Sequence, residues 1–259
     1  MRILVCIKEV PETESPISLD EASSWINDID SQYYRMNRYD ECAVEEAIRI
    51  KENQPETFID VLTVGPQRAR KVLTRAVGMG ADHGIHILCD CQGYISPFAT
   101  ASWIAQFADD KAYDLIFTGV MSEDVMQGQT GPMLAELMSM PFATSVIVEN
   151  LSWDKKSVYV EREIEAGCRE CLEIALPAVL TVQTGMNQPR YPTLSKMLRA
   201  KKMEFESVNV ESLGNAEVRE KVILLGYPEK SRASVILEGT PEEKATELLR
   251  LLDRKSLLN

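Results

Sequence analysis

Apolar runs and helical apolar spacing alternate along the first half of the chain. Short apolar runs predict buried strands at residues 1–7, 58–64, 84–90 and 114–118. Apolar side chains that recur every three or four residues predict helices over residues 42–54, 65–76 and 97–107 and after Gly131. This alternation predicts βαβ units, and so an α/β fold with a mainly parallel, doubly wound sheet. Ligands bind beyond the carboxyl ends of such strands, where the turns after Ile7, Val64 and Thr118 lie.

The pattern changes after residue 144, where apolar and polar side chains begin to alternate. Val158 and Val160 share one face of such a strand, and turn residues stand at Asp154-Lys155 and Ala166-Gly167. The alternation predicts antiparallel strands that extend the sheet. A buried strand is predicted to follow at residues 177–182.

The last fifty-odd residues are mixed in character. Residues 233–237 are strand-like, and Thr240-Pro241-Glu242-Glu243 is a capping box that predicts a helix to about residue 255. This part is too small and too polar to fold alone. We therefore predict a main α/β domain at residues 1–204 and an arm at residues 205–259, which docks on that domain or on another subunit.

Composition narrows the class of protein. The chain has 259 residues, 45% of them hydrophobic and 26% charged, as in a folded domain with a full core. The formal net charge of −12 argues against nucleic acid as a partner, because binding it depends on Lys and Arg. No apolar stretch approaches the roughly 20 residues that span a bilayer, and the N-terminus is unlike a secretory signal. We expect a cytoplasmic protein, not itself a membrane protein, with six reduced cysteines.

The loop from Gly119 to Gly131 carries the main candidate chemistry. It joins a predicted strand to a predicted helix, and it is longer than the usual two to six residues or so of such connections. Backbone N–H groups and the helix dipole meet at such a place, which favours a phosphate. The loop offers polar side chains and close backbone approach through Ser122, Asp124, Gln127, Gly128, Gln129, Thr130 and Gly131. A nucleotide site and an ordinary connection both remain open from composition alone.

Other candidate groups have simpler interpretations. Asn37 to Asp40 precede the first long helix, where they cap it or contact a ligand. His83 and His86 lie near a strand and are expected to be packed, and no nucleophile stands beside a base, so no catalytic residue is predicted. Cys168 and Cys171 could be redox-active, or could form half of a metal site with the pair Cys89 and Cys91. However, residues i and i+3 of a strand point to opposite faces, so no metal site is expected.

Residues 185–203 form a basic segment in this otherwise acidic chain. They contain five basic side chains and no acidic one: Arg190, Lys196, Arg199, Lys201 and Lys202. A solvated helix start, an anion site and a partner-docking surface are all compatible with this pattern, and apolar Leu194, Met197 and Leu198 lie beside the charges.

Over residues 1–205 the chain resembles the beta subunit of electron transfer flavoprotein. Six motifs in order carry the resemblance: VCIKEVP, the Asn37–Ala47 helix entry, MGADHGIHI at 79–87, G-x(9)-Q-T-G-P at 119–132, EREIEAG at 161–167 and NQPRYPTLSKMLRAKK at 187–202. The resemblance implies a sheet of the adenine nucleotide alpha hydrolase-like type. It also implies a larger alpha subunit as partner, FAD held mainly on alpha, and a structural AMP in this chain.

The residues that match the family's AMP shell follow from the resemblance. They are Cys6, Asn37, Arg38, Tyr39, Asp40, Val64, Ser122, Asp124, Gln127, Gly128, Gln129, Thr130, Gly131, Pro132, Met133, Leu134 and Ala135. Of these, Gln129, Thr130 and Gly131 would hold the phosphate. The implied role is an electron carrier without bond chemistry of its own.

The resemblance also implies a docking role for the PRYPTL region. The matching residues for partner recognition are Arg190, Tyr191, Leu194, Lys196 and Met197. Leu194 stands where the family's anchoring leucine lies. The implied donor is an acyl-CoA dehydrogenase-type flavoenzyme, and the implied acceptor is a membrane quinone reductase or similar protein.

Departures from the family pattern leave the occupant of the site open. Many members read K/R-Q-A-I-D-D/G-D where this chain has VMSEDVM, residues 120–126. Electron-bifurcating members hold a second FAD in place of AMP, use NADH as donor and commonly read A-Q-V-G-P, whereas this chain has G-Q-T-G-P. The threonine favours AMP, and the altered loop keeps the second FAD possible. A stand-alone adenine-nucleotide sensor and a metal or iron–sulfur protein are the hypotheses from other classes.

Overall fold

The computed structural model describes the chain except for residues 13, 15, 16, 21–24, 28–32, 91, 92, 153, 155, 215, 218, 229–233, 256, 258 and 259. In chain order the strands are β1 (Arg2–Cys6), β2 (Glu9–Pro11), β3 (Tyr34–Met36), β4 (Phe58–Gly65), β5 (His83–Leu88), β6 (Leu115–Gly119), β7 (Phe142–Leu151), β8 (Ser157–Glu163), β9 (Arg169–Ala175), β10 (Ala178–Val182) and β11 (Glu206–Asn209). The helices are α1 (Arg38–Asn53), α2 (Arg70–Met79), α3 (Pro97–Ala108), α4 (Thr130–Leu137), α5 (Leu194–Ala200) and α6 (Pro241–Arg254).

One large sheet organises the main unit. Among the described residues its strand order is β11-β5-β4-β1-β6-β10-β7-β8-β9. Every pair from β11 to β7 is parallel, and β8 and β9 continue the sheet in antiparallel pairing. The predicted α/β fold, with a mainly parallel sheet extended by antiparallel strands, is therefore confirmed.

The central strands are apolar on both faces because helices cover both faces. Val5 of β1 lies beside Val61 and Phe117 in the register, and all three pack with the side chains of α1 and α2. Leu4 and Ile116 face the other side, towards α3 and α4. A buried apolar side chain of this size contributes about 1.5–3 kcal/mol, so these strands need helices on both sides.

Asp60, near the amino end of β4, and His86, towards the carboxyl end of β5, have hydrogen-bond partners within the protein. The fully buried Asp60 carboxylate accepts hydrogen bonds from Arg2 Nη2 at 2.9 Å and from the Tyr113 hydroxyl at 2.9 Å. His83 Nδ1 lies 3.1 Å from Asp60, and buried His86 contacts the carbonyl of Gly65 through Nε2 at 3.0 Å. Both histidines are thus packed on the sheet, as expected from their positions.

The sequence pattern does not predict three short strands, and it predicts one strand that is not formed. β2 and β3 pair with each other in the polar segment before α1, and β11 pairs with β5 at the sheet edge. The strand predicted at 233–237 is wrong for residues 234–237, its described part. Val235 and Ile236 are exposed there, and a strand needs a hydrogen-bonded neighbour that these residues do not have within the described chain. The predicted turn at Asp154-Lys155 lies partly outside the described residues.

The chain divides into two compact units, Met1–Leu225 and Gly226–Asn259. The division falls after the boundary predicted at residue 204, because β11 joins the main sheet. In the second unit, Thr240 Oγ1 accepts from Glu243 N at 3.3 Å, and the Glu243 side chain accepts from Thr240 N at 2.8 Å. This confirms the capping box and the helix that it predicts, α6.

Candidate functional site

A cavity of about 1060 Å³ opens at the carboxyl edge of the sheet. The turns after β1, β4 and β6 form its floor, and the loop before α4 forms one wall. Ile7, Val64 and Thr118 line it, so the three turns that the strand pattern brought to one edge do meet there. A cavity at this edge is the usual ligand position in a doubly wound fold.

Most of the predicted nucleotide residues line this cavity. They are Cys6, Asn37, Asp40, Val64, Ser122, Asp124, Gln127, Gly128, Gln129, Thr130 and Gly131. These residues come from four separate stretches of the chain. The fold therefore brings the candidate site together.

Six predicted residues do not line the cavity: Arg38, Tyr39, Pro132, Met133, Leu134 and Ala135. Leu134 and Ala135 are fully buried and pack with α3, and Met133 packs against the same cluster. On a helix only one face can meet a ligand, so the rest of α4 holds the helix on the sheet. Arg38 points outward, and its side chain is 65% exposed.

The start of α4 offers unpaired donors. Gln129 is the N-cap residue, and its side chain makes no capping hydrogen bond. The first N–H groups of a helix have no acceptor within the helix, so those of the first turn are free to hold an anion. A Cβ on Gly131 would lie 2.8 Å from Thr118 Oγ1 and 2.5 Å from Thr181 Cγ2. Only glycine lets the helix begin this close to β6 and β10.

Asp40 places an internal carboxylate in the cavity lining, beside the ends of β1 and β6. It is 4% exposed and accepts hydrogen bonds from the backbone N–H of Lys8 at 2.7 Å and of Gly119 at 3.0 Å. Burial raises the pKa of Asp40 to about 7, and the two amides and Asn37 oppose that rise. Because these strand-end amides already bind the protein's own carboxylate, the start of α4 is the better place for a ligand anion.

Asn37 holds the nucleotide loop instead of capping α1. It occupies the N-cap position but makes no side-chain capping bond. Its Nδ2 donates to the Met121 carbonyl at 2.9 Å, and its Oδ1 accepts from Glu123 N at 3.1 Å. Glu123 also pairs with Arg35 at 2.9 Å. The loop is thus fixed at its first turn by a residue 84 positions earlier in the chain.

Lys8 is a lining residue that the sequence pattern did not single out. Its Nζ lies 2.7 and 2.9 Å from the Asp124 carboxylate oxygens and 3.3 Å from Ser122 Oγ. The side chain is 43% exposed and lines the cavity. It adds a cation to a site that the net charge of the chain would otherwise disfavour for a phosphate. The sequence signal that could have identified Lys8 is its position one residue beyond the first predicted strand.

Two aromatic side chains form another part of the cavity lining. Trp25 and Tyr94 both line it, with ring centroids 5.5 Å apart and planes inclined by 56°. The Tyr94 hydroxyl donates to Gln127 Oε1 at 2.9 Å, which joins this wall to the nucleotide loop. Neither aromatic residue carried a recognisable motif. Flat apolar surfaces of this kind suit a planar ring.

The predicted recognition residues lie on a separate surface. Tyr191 is 86% and Leu194 77% exposed, and Lys196 is exposed beside them. Met197 instead packs on α2, where its Sδ would lie 2.6 Å from a Cβ on Gly78. Arg190 is paired with carboxylates of α1. The five residues therefore divide into an exposed set and an anchored set.

Cys6 and Cys42 are buried free thiols, and Cys168 and Cys171 are exposed free thiols. Cys89 is disulfide-bonded, so the expectation of reduced cysteines is wrong for this residue. Within the described part of the chain, no three His, Cys, Asp or Glu side chains converge as a metal site.

None of the helices in the described ranges combines the length and the apolar character that crossing a bilayer requires.

Known proteins resemble this chain over almost its whole length. The family model of the electron transfer flavoprotein domain matches residues 27–213. The electron transfer flavoprotein subunit beta of Bacillus subtilis (strain 168) is 34% identical, over 97% of each chain. Proteins of the same name are 35% identical in Mus musculus, over 93% of this chain and 94% of the relative, and 30% identical in Methylophilus methylotrophus, over 98% of each. Matches of this extent show that the chain belongs to the electron transfer flavoprotein family, among its beta subunits.

Proposed function

We propose that this chain is the small subunit of a heterodimeric, FAD-containing electron carrier. It takes electrons from acyl-CoA dehydrogenase-type flavoenzymes and delivers them, with its alpha subunit, to a quinone reductase or similar acceptor. The family and the names of its relatives support the role of an electron carrier subunit. The chain's own part is to hold a nucleotide and to dock a partner.

The nucleotide that we propose is AMP, bound with its phosphate at the start of α4. The observation that carries this proposal is the uncapped helix end beside Gly131, which opens into the cavity. Lys8 would add positive charge near the phosphate, and Asp40 would keep the floor closed. These residues fit a phosphate that is held and does not react. FAD would lie mainly on the alpha subunit and supply the redox chemistry.

Two features of the described cavity lining support a nucleotide that does not react. Burial raises the pKa of the Cys6 thiol, so it stays protonated at neutral pH. Neither described histidine lines the cavity. These features support a structural nucleotide and a carrier role.

A second FAD is the alternative occupant, and the size of the cavity favours it. Ligand pockets commonly measure about 300–1,000 Å³. The cavity volume of about 1060 Å³ lies at the upper end of that range, and the aromatic wall of Trp25 and Tyr94 offers a surface for a flavin ring. With FAD here and NADH as donor, the chain would belong to an electron-bifurcating complex.

Mass spectrometry of the nucleotides released from the purified heterodimer separates these possibilities. The proposal predicts one AMP and one FAD per heterodimer. Two FAD and no AMP would instead support bifurcation. Absence of any nucleotide from an intact, folded heterodimer contradicts both assignments.

The docking role is tested with Leu194→Ala in the heterodimer. The exposed leucine should be needed for rapid flavin reduction by the dehydrogenase, while FAD content and thermal stability stay unchanged. Leu224→Ala is the matched control, because Leu224 is 70% exposed and lies outside the basic segment. Equal reduction rates for the two variants would contradict a docking role for Leu194.

A further inference from the structure

We infer that Arg190 is a positioning residue, which fixes the exposed Tyr191–Leu194 segment on helix α1 instead of contacting the partner protein. The inference rests on the proposed docking role of that segment. It assigns to Glu45 and Glu52 of α1 a part in presenting the docking surface.

The guanidinium group of Arg190 is engaged by two carboxylates. Nε lies 2.9 Å from Glu45 Oε2, and Nη2 lies 2.8 Å from Glu45 Oε1. Nη1 and Nη2 lie 2.5 and 3.1 Å from the two oxygens of Glu52. The backbone N–H of Arg190 also donates to Glu45 Oε2 at 3.0 Å. All three guanidinium nitrogens thus have partners within the chain, and little donor capacity remains for another protein.

The burial of Glu45 makes this pair specific. Its side chain is 7% exposed, whereas that of Glu52 is 57% exposed. A buried carboxylate is costly without a cation and good hydrogen bonds, so Glu45 holds Arg190 in one place. The bidentate geometry also fixes the plane of the guanidinium group. The exposed Glu52 contributes less to holding Arg190 in place.

Two more contacts fix the segment on either side. Asn187 Nδ2 donates to the Cys42 carbonyl at 2.9 Å and to Glu46 Oε2 at 2.8 Å, both on α1. After the exposed stretch, Met197 packs against Gly78 of α2. The chain is therefore anchored before and after Tyr191 and Leu194, and these two side chains project into solvent.

Anchoring of this kind reduces the entropy lost when a partner binds. A loose segment would have to be ordered in the complex, and ordering each residue opposes binding. Breaking the Arg190–Glu45 pair should therefore weaken docking without removing a docking contact. We expect a KM for the dehydrogenase roughly tenfold higher, the effect of ordering about one more residue.

The experiment compares Arg190→Gln, Glu45→Gln and Arg199→Gln in the intact heterodimer. Hydrogen–deuterium exchange of residues 186–198 reports the order of the segment, and flavin reduction by the dehydrogenase reports docking. Arg190→Gln and Glu45→Gln should both speed exchange there and raise KM. Arg199→Gln is the control, since it removes the same charge from an exposed position of α5 that makes no ion pair among the described residues. Exchange should stay at the wild-type rate in this variant, and any change in KM measures the loss of charge alone.

The outcomes separate positioning from direct contact. If Arg190→Gln raises KM while exchange stays at the wild-type rate, or if Glu45→Gln changes neither, the inference is overturned. If Arg190→Gln does not fold, Glu45→Gln and Arg190→Lys supply the same comparison with smaller changes. Exchange is measured without a dehydrogenase, so this inference can fail or hold independently of the result for Leu194→Ala.

Discussion

The Asp40 carboxylate lies 3.0 Å from the amide nitrogen of Gly119, the last residue of β6. A Cβ on Gly119 would come within 2.3 Å of Asp40 Oδ1, so the contact depends on glycine. The same carboxylate binds the amide of Lys8 beyond β1. One side chain at the start of α1 therefore closes the ends of two neighbouring strands and shapes the floor of the cavity.

Asp40 should titrate near neutral pH. Burial raises its pKa from 3.8 to about 7. Between these values the folded protein holds a proton on Asp40 that the unfolded chain has lost, so the free energy of unfolding falls as pH rises from about 4 to about 7 and then levels. Carbon-13 NMR of the Asp40 carboxyl should show a midpoint near 7.

Asp40→Asn should remove the part of this pH dependence of the unfolding free energy that comes from Asp40. Glu149→Gln serves as the comparison, because burial also raises the pKa of Glu149 to about 7, outside the cavity lining. A carboxyl of Asp40 that titrates near 3.8 would contradict the prediction. So would an Asp40→Asn variant with the wild-type slope.

Gly131→Ala should disturb the start of α4 where the phosphate is proposed. The added Cβ would overlap Thr118 and Thr181, and overpacking of this kind costs about 1–3 kcal/mol. We expect a lower unfolding midpoint and weaker AMP binding by isothermal titration calorimetry. Gly226→Ala is the control, since nothing lies within 4 Å of a Cβ at that position. Wild-type stability and affinity for Gly131→Ala would show that the helix start can shift freely.

Continuous apolar runs made the central sheet predictable. β1, β4 and β6 are buried on both faces, so their sequences differ from any exposed segment. β11 has four residues, three of them exposed, and forms because β5 leaves an edge beside it. A strand that depends on its neighbour carries little signal of its own.

The sequence predicted those parts of the candidate site that neighbouring residues in the chain mark. Gly131 and the polar loop before it mark a helix start, and the family motif extends this to Asp40. Lys8 acquires its role only through Asp124, 116 residues later, and Tyr94 only through Gln127. Such pairings follow from the strand order. Residues transferred from the family by position also included Leu134, whose side chain serves the core.

Lys8 and Asp124 should have opposite effects on nucleotide binding. Lys8→Met removes a cation from the cavity and should weaken AMP binding about tenfold, the value of one charge-assisted hydrogen bond. Asp124→Asn leaves the cation and removes the carboxylate that competes with phosphate for it, so affinity should rise. Stability should change by at most about 1 kcal/mol in either variant, because the Lys8 side chain is 43% exposed. A similar loss of affinity in both variants would mean that the ion pair only holds the loop.

Two truncated chains should show at which residue the arm begins. A chain that ends at Leu225 keeps β11, so its main unit should unfold at the wild-type temperature. A chain that ends at Glu204 loses Phe205, which is 8% exposed and whose ring would lie 2.7 Å from a Cβ on Gly84. Loss of that one side chain costs about 1.5–3 kcal/mol, so the midpoint should fall by roughly 3–12 °C. Differential scanning calorimetry of both chains measures this. Equal midpoints would favour an arm that begins at residue 205. Co-purification of the chain that ends at Leu225 with the alpha subunit then shows whether residues 226–259 are needed for assembly. We expect that they are needed if the arm docks on the alpha subunit.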